Sequence, residues 1–285
     1  MKFAGDLLAA LAARSSGAYV KPIVPDGFRV KQSSEPMFNV PGVVLATLAV
    51  MALVHGVRAW WLSPREDVEL LLLLSFIPAR YDATVLGGEV LPGGIAADLW
   101  TFVTYAFIHG NLTHLLLNGV WLLAFGSAVA RRFGTVRFLA FFAVTAAAGA
   151  AVHLAVHAGE LVPMVGASAA ISGFMAAAIR FAFQIGGPLG LFGHSGDHAY
   201  RVPAAPLATA LRDPRILAFL GVWFGLNLLF GVGSIPLSDG EESIAWQAHI
   251  GGFLAGLLLF PLFDPVPGAR PAGGGRGPGP GRAAA

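Results

Sequence analysis

Long apolar segments constrain the fold of this chain more than any other feature of its sequence. A membrane-crossing helix needs about 20 mostly apolar residues. Six segments meet that requirement: 40–62, 104–128, 137–157, 164–184, 215–233 and 244–263. Charged residues make up only 12% of the 285 positions and hydrophobic residues 56%, whereas a soluble domain carries about 25% charged residues. We therefore predict an all-α integral membrane protein with a bundle of six transmembrane helices.

The remaining segments divide the chain around this membrane domain. We predict a lead at 1–37, a membrane domain at 38–263 and a disordered Pro/Gly-rich tail at 264–285. Asp6 interrupts the one apolar run of the lead, so that run does not make a convincing signal peptide. The first long connection, 63–103, contains an apolar run that is too short to span, and we expect a partly structured loop there.

Basic residues predict the orientation of the helices. Lys and Arg are enriched in cytoplasmic segments of membrane proteins. With a cytoplasmic N-terminus, fifteen of the eighteen Lys and Arg residues fall on the inside, and this alternation holds at every loop. We therefore predict cytoplasmic N- and C-termini in a cell (inner) membrane.

Four polar side chains are predicted to lie at one depth in the outer half of the bundle. Ser168 lies near the start of the fourth segment and His249 near the start of the sixth, while His114 and Asn118 lie four residues apart on the second. Ionisable groups inside a membrane usually face a cavity or one another. Glycines near them, Gly166 beside Ser168 and the pair Gly252 and Gly256 beside His249, permit close helix packing.

These side chains are suited to hydrolysis of a peptide bond. Ser168 can act as nucleophile and His249 as its base. His114 and Asn118, with backbone N–H groups, can stabilise the oxyanion. Because these helices carry no buried Asp or Glu to orient the base, we predict a Ser–His dyad, with no metal and no cofactor.

In these residues the chain resembles bacterial members of the rhomboid family of intramembrane serine proteases. The matching motifs are His114…Asn118, Gly166-Ala167-Ser168 and Ala248-His249-Ile250-Gly251-Gly252…Gly256. They occur in the family's order within roughly 38–263. The resemblance implies a six-helix bundle, a catalytic Ser168–His249 dyad and an oxyanion site at His114 and Asn118. It also implies transmembrane protein substrates in the lipid bilayer, entering near 222–230 and 234–243.

The chain departs from the family pattern at four positions. They are Ala169 in place of Gly, Thr101 in place of Arg, Ala130 in place of Glu, and Ser172 in place of an aromatic residue. The change at Thr101 affects the anchoring of the first loop. Without an aromatic ring at Ser172, His249 must be positioned differently.

Other functions are less consistent with the sequence. There is no His-Glu-x-x-His zinc motif, and the pair His153 and His157 has no third ligand nearby. A transporter would need charged residues at mid-membrane, and nothing indicates a nucleic-acid partner. The main alternative is a non-catalytic rhomboid-like protein that binds and escorts membrane helices; a purely structural membrane module is the next. The sequence leaves the oligomeric state open.

Overall fold

The computed structural model describes residues 40–190, 196–232 and 245–267. Its helices are α1 (Gly42–Trp60), α2 (Pro64–Leu74), α3 (Gly94–Thr104), α4 (Leu112–Phe133), α5 (Thr135–Val156), α6 (Ser168–Ala178), α7 (Leu207–Ala210), α8 (Pro214–Val232) and α9 (Trp246–Phe263). The one β-pairing within these ranges is a single bridge between Phe76 and Met164. The described part of the fold is therefore all-helical, as predicted.

Four helices are long and apolar enough to cross a membrane: α1, α4, α5 and α9. Two further apolar helices, Ser168–Ala178 and Pro214–Leu229, are shorter. The chain is therefore a multi-pass membrane protein. The count of six crossings and the side on which each terminus lies stay predictions.

Some of the predictions fall on parts of the chain outside the described ranges. These are the lead at 1–37, the tail beyond 267, residues 191–195 of the loop 185–213, and the segment 234–243.

The second predicted segment, 104–128, differs from the helix that forms there. A 3-10 turn at Tyr105–Phe107 ends the preceding helix, and α4 begins only at Leu112. Asn111 sets that start, because its side-chain oxygen accepts a hydrogen bond from the backbone N–H of His114 at 2.8 Å. At its other end α4 continues to Phe133, where Gly134 terminates the helix with φ of 74°.

The fourth predicted segment, 164–184, was too long, because α6 has only 11 residues. Met164 is held in extended pairing with Phe76, and the N–H of Gly166 donates to the carbonyl of Tyr105 at 3.0 Å. A helix of that length measures about 16 Å, well short of the ~30 Å hydrocarbon core. The ten residues after Ser168 in α6 are all buried. The surrounding helices therefore shield this short helix, as non-helical backbone at membrane depth requires.

Small residues bring α5, α6 and α9 into close contact. A Cβ on Gly149 of α5 would lie 2.5 Å from the Cβ of Ala169 on α6. A Cβ on Gly252 of α9 would collide with the backbone of Ala169, and one on Gly256 with the backbone of Gly173. The two glycines that were predicted to allow close packing therefore lie directly against α6.

We expect Gly252→Ala to destabilise the protein by about 1–3 kcal/mol, because the added methyl group overpacks the contact with the Ala169 carbonyl. Gly221→Ala is the matched control, since a Cβ at that position of α8 would meet nothing within 4 Å. It should be neutral or stabilising by up to ~1 kcal/mol through helix propensity. Unfolding in mixed detergent micelles measures both; equal stability of the two variants would contradict this packing.

Ion pairs lie at both ends of the bundle. At one end, Arg132 pairs with Asp264 beyond α9, and Arg180 donates to the carbonyl of Ala205. At the other end, Arg58 of α1 binds Asp67 of α2. The first turns of α6 and α9 lie at the end opposite the Arg132–Asp264 pair, because that pair joins the C-terminal ends of α4 and α9.

The first connection is anchored by a residue that the sequence analysis did not single out. The guanidinium group of Arg80 is buried and donates to the carbonyls of Leu72 and Pro92. Trp100 adds a hydrogen bond from its indole N–H to the carbonyl of Leu73 at 3.0 Å. Thr101, which departs from the family pattern, donates to the carbonyl of Ala97 in its own helix, and its hydroxyl lies 3.2 Å from that of Tyr81 in the first connection. An arginine thus anchors this loop, but it stands at position 80 and not at position 101, where the family pattern has one.

Candidate active site

Ser168 and His249 are in direct hydrogen-bond contact. Ser168 is the first residue of α6 and His249 the fourth of α9. The distance between Ser168 Oγ and His249 Nε2 is 2.7 Å. Both side chains are only partly buried. This contact depends on the close packing of α9 against Ala169 of α6. Gly252 lies three residues after the histidine on α9, and it permits this packing because it has no side chain to hold the helices apart.

Asn227 of α8 contacts the other ring nitrogen of His249. Its side-chain oxygen Oδ1 lies 2.5 Å from His249 Nδ1. Its amide nitrogen donates to the carbonyl of Trp223, one turn earlier, at 2.8 Å. Sequence reasoning missed this residue because it searched for an orienting carboxylate. The available signal was that Asn227 is the one amide in the apolar segment 215–233.

His114 and Asn118 lie beside Gly166, two residues before the serine. A Cβ on Gly166 would be 2.5 Å from His114 Nε2 and 3.7 Å from Asn118 Nδ2. Gly166 also has φ of 112°, which side chains rarely adopt, so glycine is required here on both grounds. Asn118 is buried and donates one amide hydrogen to the carbonyl of His114 at 3.1 Å. Since an amide nitrogen carries two hydrogens, one remains for another acceptor.

The start of α6 adds backbone donors next to the serine. The first N–H groups of a helix have no partner within that helix, and the helix dipole favours negative charge there. Ser168 occupies this first position. Gly166 lies two residues before Ser168, so the side chains of His114 and Asn118 that lie beside Gly166 are close to this helix start.

Ser172 replaces the aromatic residue of the family pattern and lies one turn along α6 from Ser168. Its hydroxyl donates to the carbonyl of Ser168 at 2.7 Å. This bond satisfies the hydroxyl within the helix, and Asn227 holds the histidine from a different helix instead. The expectation that His249 is positioned differently stays a prediction.

His153 and His157 form no metal site with other described residues. Their rings stack with centroids 4.4 Å apart, and His157 Nδ1 lies 3.0 Å from Glu160. Within the described ranges, no group of three or more His, Cys, Asp or Glu side chains is arranged to hold a metal ion.

The fold and the site define a class: a helical multi-pass membrane protein in which one helix start presents a serine to a histidine on a neighbouring helix. A family model described as the rhomboid domain matches residues 96–264 of the chain. This match covers more than half of the sequence, and the chain belongs to the rhomboid family.

Several curated proteins are similar to this chain. Rhomboid-like protease 3 of Toxoplasma gondii is 31% identical over 195 residues, which are 67% of this chain and 62% of that protein. Rhomboid-like protein 16, chloroplastic, of Arabidopsis thaliana is 26% identical over 197 residues, or 69% of this chain and 51% of the relative. RHOMBOID-like protein 12, mitochondrial, of the same plant is 27% identical over 170 residues, and the match covers 43% of that protein. The chain thus matches less than two thirds of the length of each of these relatives.

Proposed function

We propose that this protein is an intramembrane serine endopeptidase that cleaves transmembrane or juxtamembrane segments of membrane proteins. The observation that carries the proposal is the 2.7 Å contact between Ser168 Oγ and His249 Nε2. The name of one relative, Rhomboid-like protease 3, supports the same chemistry. No cofactor or metal takes part in the proposed reaction.

In the first half of the reaction Ser168 Oγ attacks the carbonyl carbon of the scissile peptide bond. As the new C–O bond forms, the hydroxyl proton passes to His249 Nε2, and the carbonyl oxygen becomes an oxyanion. When the tetrahedral intermediate collapses, the C–N bond breaks and His249 gives its proton to the leaving amine. An ester between Ser168 and the substrate remains.

Water completes the reaction. His249 takes a proton from a water molecule, whose oxygen attacks the ester carbon and forms a second oxyanion. Collapse breaks the bond to Ser168 Oγ, the proton returns to that oxygen, and the new carboxyl group leaves. This step requires water to reach the site, and neither Ser168 nor His249 is fully enclosed by protein.

Asn118 and His114 serve as oxyanion donors in this proposal, together with the backbone N–H groups at the start of α6. Asn118 is suited to this role because it lies beside Gly166 and has an amide hydrogen that is not used in its bond to His114. Donors held in place before the charge develops lower the barrier without any reorganisation.

Asn118→Ala should lower kcat by roughly 10²–10³-fold, as the loss of one oxyanion donor does in soluble serine proteases. KM should change little, because the interaction is made in the transition state. Cleavage kinetics on a transmembrane reporter in liposomes measure both constants. An unchanged kcat in a folded variant would remove Asn118 from this role.

The proposal includes the membrane topology. Arg132 and Arg180 lie at the end of the bundle away from Ser168, and the bias of Lys and Arg towards the cytoplasm would then open the site to the extracytoplasmic side. We infer six crossings, with α6 as the buried fourth, and cytoplasmic termini in an inner cell membrane. Transmembrane substrates would enter near residues 222–230 of α8 and the following segment 234–243.

A serine-reactive fluorophosphonate provides the test of this function. The folded wild-type protein should be labelled at Ser168, mapped by mass spectrometry, and should cleave a generic transmembrane reporter. Absence of both labelling and cleavage would contradict the proposal. Binding of the uncut reporter under those conditions would favour the alternative, a non-catalytic rhomboid-like protein that escorts membrane helices.

A further inference from the structure

Asn227 occupies an unusual environment for an amide. Its neighbours Leu226 and Leu228 are exposed on the outer surface of α8, by 44% and 59%, as expected of side chains that face lipid. An unsatisfied polar group would be costly there. Both ends of the Asn227 amide are nevertheless satisfied, one by a carbonyl of its own helix and one by His249.

The hydrogen bonds of Asn227 determine which of its atoms faces the histidine. Because the amide nitrogen donates to the Trp223 carbonyl, the oxygen is the atom directed at His249 Nδ1. An amide oxygen can only accept, so Nδ1 must carry the hydrogen. In a neutral imidazole the other nitrogen, Nε2, then holds the lone pair. Nε2 is the atom that faces Ser168 Oγ at 2.7 Å.

The packing of α8 against α9 holds this arrangement in register. The ring of Trp223 stacks on that of Phe253, with centroids 4.8 Å apart. Asn227 lies four residues after the first and His249 four residues before the second. On antiparallel helices this spacing places the hydrogen bond one turn away from the aromatic stack. The aromatic contact therefore fixes the level at which the amide meets the imidazole.

We propose that Asn227 is a positioning residue for His249, whose side-chain oxygen holds the imidazole in the tautomer that can take the proton of Ser168. This inference rests on the proposed protease function and adds a third member to the predicted pair. The arrangement is that of the Cys-His-Asn proteases, in which an amide orients the catalytic imidazole. Here the amide comes from α8, a helix that contributes neither the nucleophile nor the base.

Three substitutions separate positioning from packing. Asn227→Leu keeps the branched shape and the number of side-chain heavy atoms but removes the acceptor. Asn227→Ala removes both the branched shape and the acceptor, and Asn227→Asp keeps an acceptor oxygen in either protonation state. If Asn227 positions the imidazole, Leu and Ala should both lower kcat by roughly 10²-fold, less than the ~10⁴-fold that follows loss of a charged orienting group. Asp should stay within about tenfold of wild type, and KM should not change in any variant.

The experiment measures reporter cleavage in liposomes and the rate of fluorophosphonate labelling at Ser168, beside thermal unfolding of each variant. Leu220→Met serves as the packing control, since Leu220 of α8 belongs to the same buried cluster as Phe253 and lies outside residues 222–230, where substrates are proposed to enter. It should leave kcat and labelling near wild type.

A role in packing alone would give a different order, with Leu the most active variant and Asp the least, and this order would overturn the proposal. Wild-type values of kcat and labelling in Asn227→Leu would overturn it as well. If instead the wild-type protein neither cleaves nor reacts with the probe, the protease function itself fails, and the inference about Asn227 fails with it.

Discussion

Ser168→Ala should reduce reporter cleavage by roughly 10⁴–10⁶-fold, the range seen when the nucleophile of a soluble serine protease is removed. The hydroxyl is the one atom group that bonds covalently to the substrate in the proposed reaction, and nothing beside it can replace it. Ser172 is bonded to the carbonyl of Ser168 within α6 and faces no base. The measurement is initial cleavage rate in liposomes at equal amounts of folded protein.

Ser127→Ala is the matched control for this substitution. Ser127 is also a membrane-embedded serine, but it lies on α4 towards the end with Arg132, and its hydroxyl has no hydrogen-bond partner among the described residues. Its removal should leave the cleavage rate within about twofold of wild type, since it breaks no described hydrogen bond. Equal losses in both serine variants, or cleavage that survives Ser168→Ala, would contradict the assignment of the nucleophile.

His249→Ala should reduce the cleavage rate by a similar factor. The double variant with Ser168→Ala should reduce it little more than either substitution alone. Residues that act as one unit in proton transfer show this strong non-additivity. Independent, multiplying effects would indicate that the two side chains act in separate steps.

Arg132→Met should destabilise the folded protein by about 3–5 kcal/mol, the largest stability effect expected from a single substitution in the described structure. The guanidinium group forms a bidentate ion pair with Asp264, and both nitrogen–oxygen distances are 2.8 Å. Its remaining nitrogen donates to the carbonyls of Tyr200 and Val202, and its plane lies 4.6 Å over the ring of Phe181. Removal of the cation leaves the Asp264 carboxylate buried, with 8% of its side chain exposed, and without its ion-pair partner, so that it keeps only the hydrogen bond from the N–H of Val266 at 3.1 Å among those described.

Two controls accompany Arg132→Met, and unfolding in mixed detergent micelles measures the stability of all three variants. Arg131→Met removes the neighbouring cation, whose partner Asp197 is 69% exposed, so the cost should stay within ~1 kcal/mol. Arg132→Met combined with Asp264→Leu removes both charges and should recover much of the loss, because no buried charge is then left unpaired. If the double variant is as unstable as Arg132→Met, the buried carboxylate is not the source of the cost.

The helical class of the protein could be predicted from sequence because it depends on apolar segment length alone. The predicted spans at 40–62 and 137–157 agree with α1 and α5 within two residues at each end. The start of α6 could not be predicted, because it depends on contacts with distant residues, whereas α4 begins at the local cap of Asn111. Met164 is held extended by Phe76, and Gly166 by the carbonyl of Tyr105.

The sequence by itself determined the membrane class and the choice of Ser168, His249, His114 and Asn118 as candidate residues, since polar groups in apolar helices stand out wherever they occur. Only the tertiary structure decided that Asn227 meets His249. Asn227 and His249 lie 22 residues apart on two helices, so neither residue spacing nor helical periodicity relates them. Their contact depends on how α8 turns about its axis against α9, and that rotation is fixed by side-chain packing such as the stack of Trp223 on Phe253.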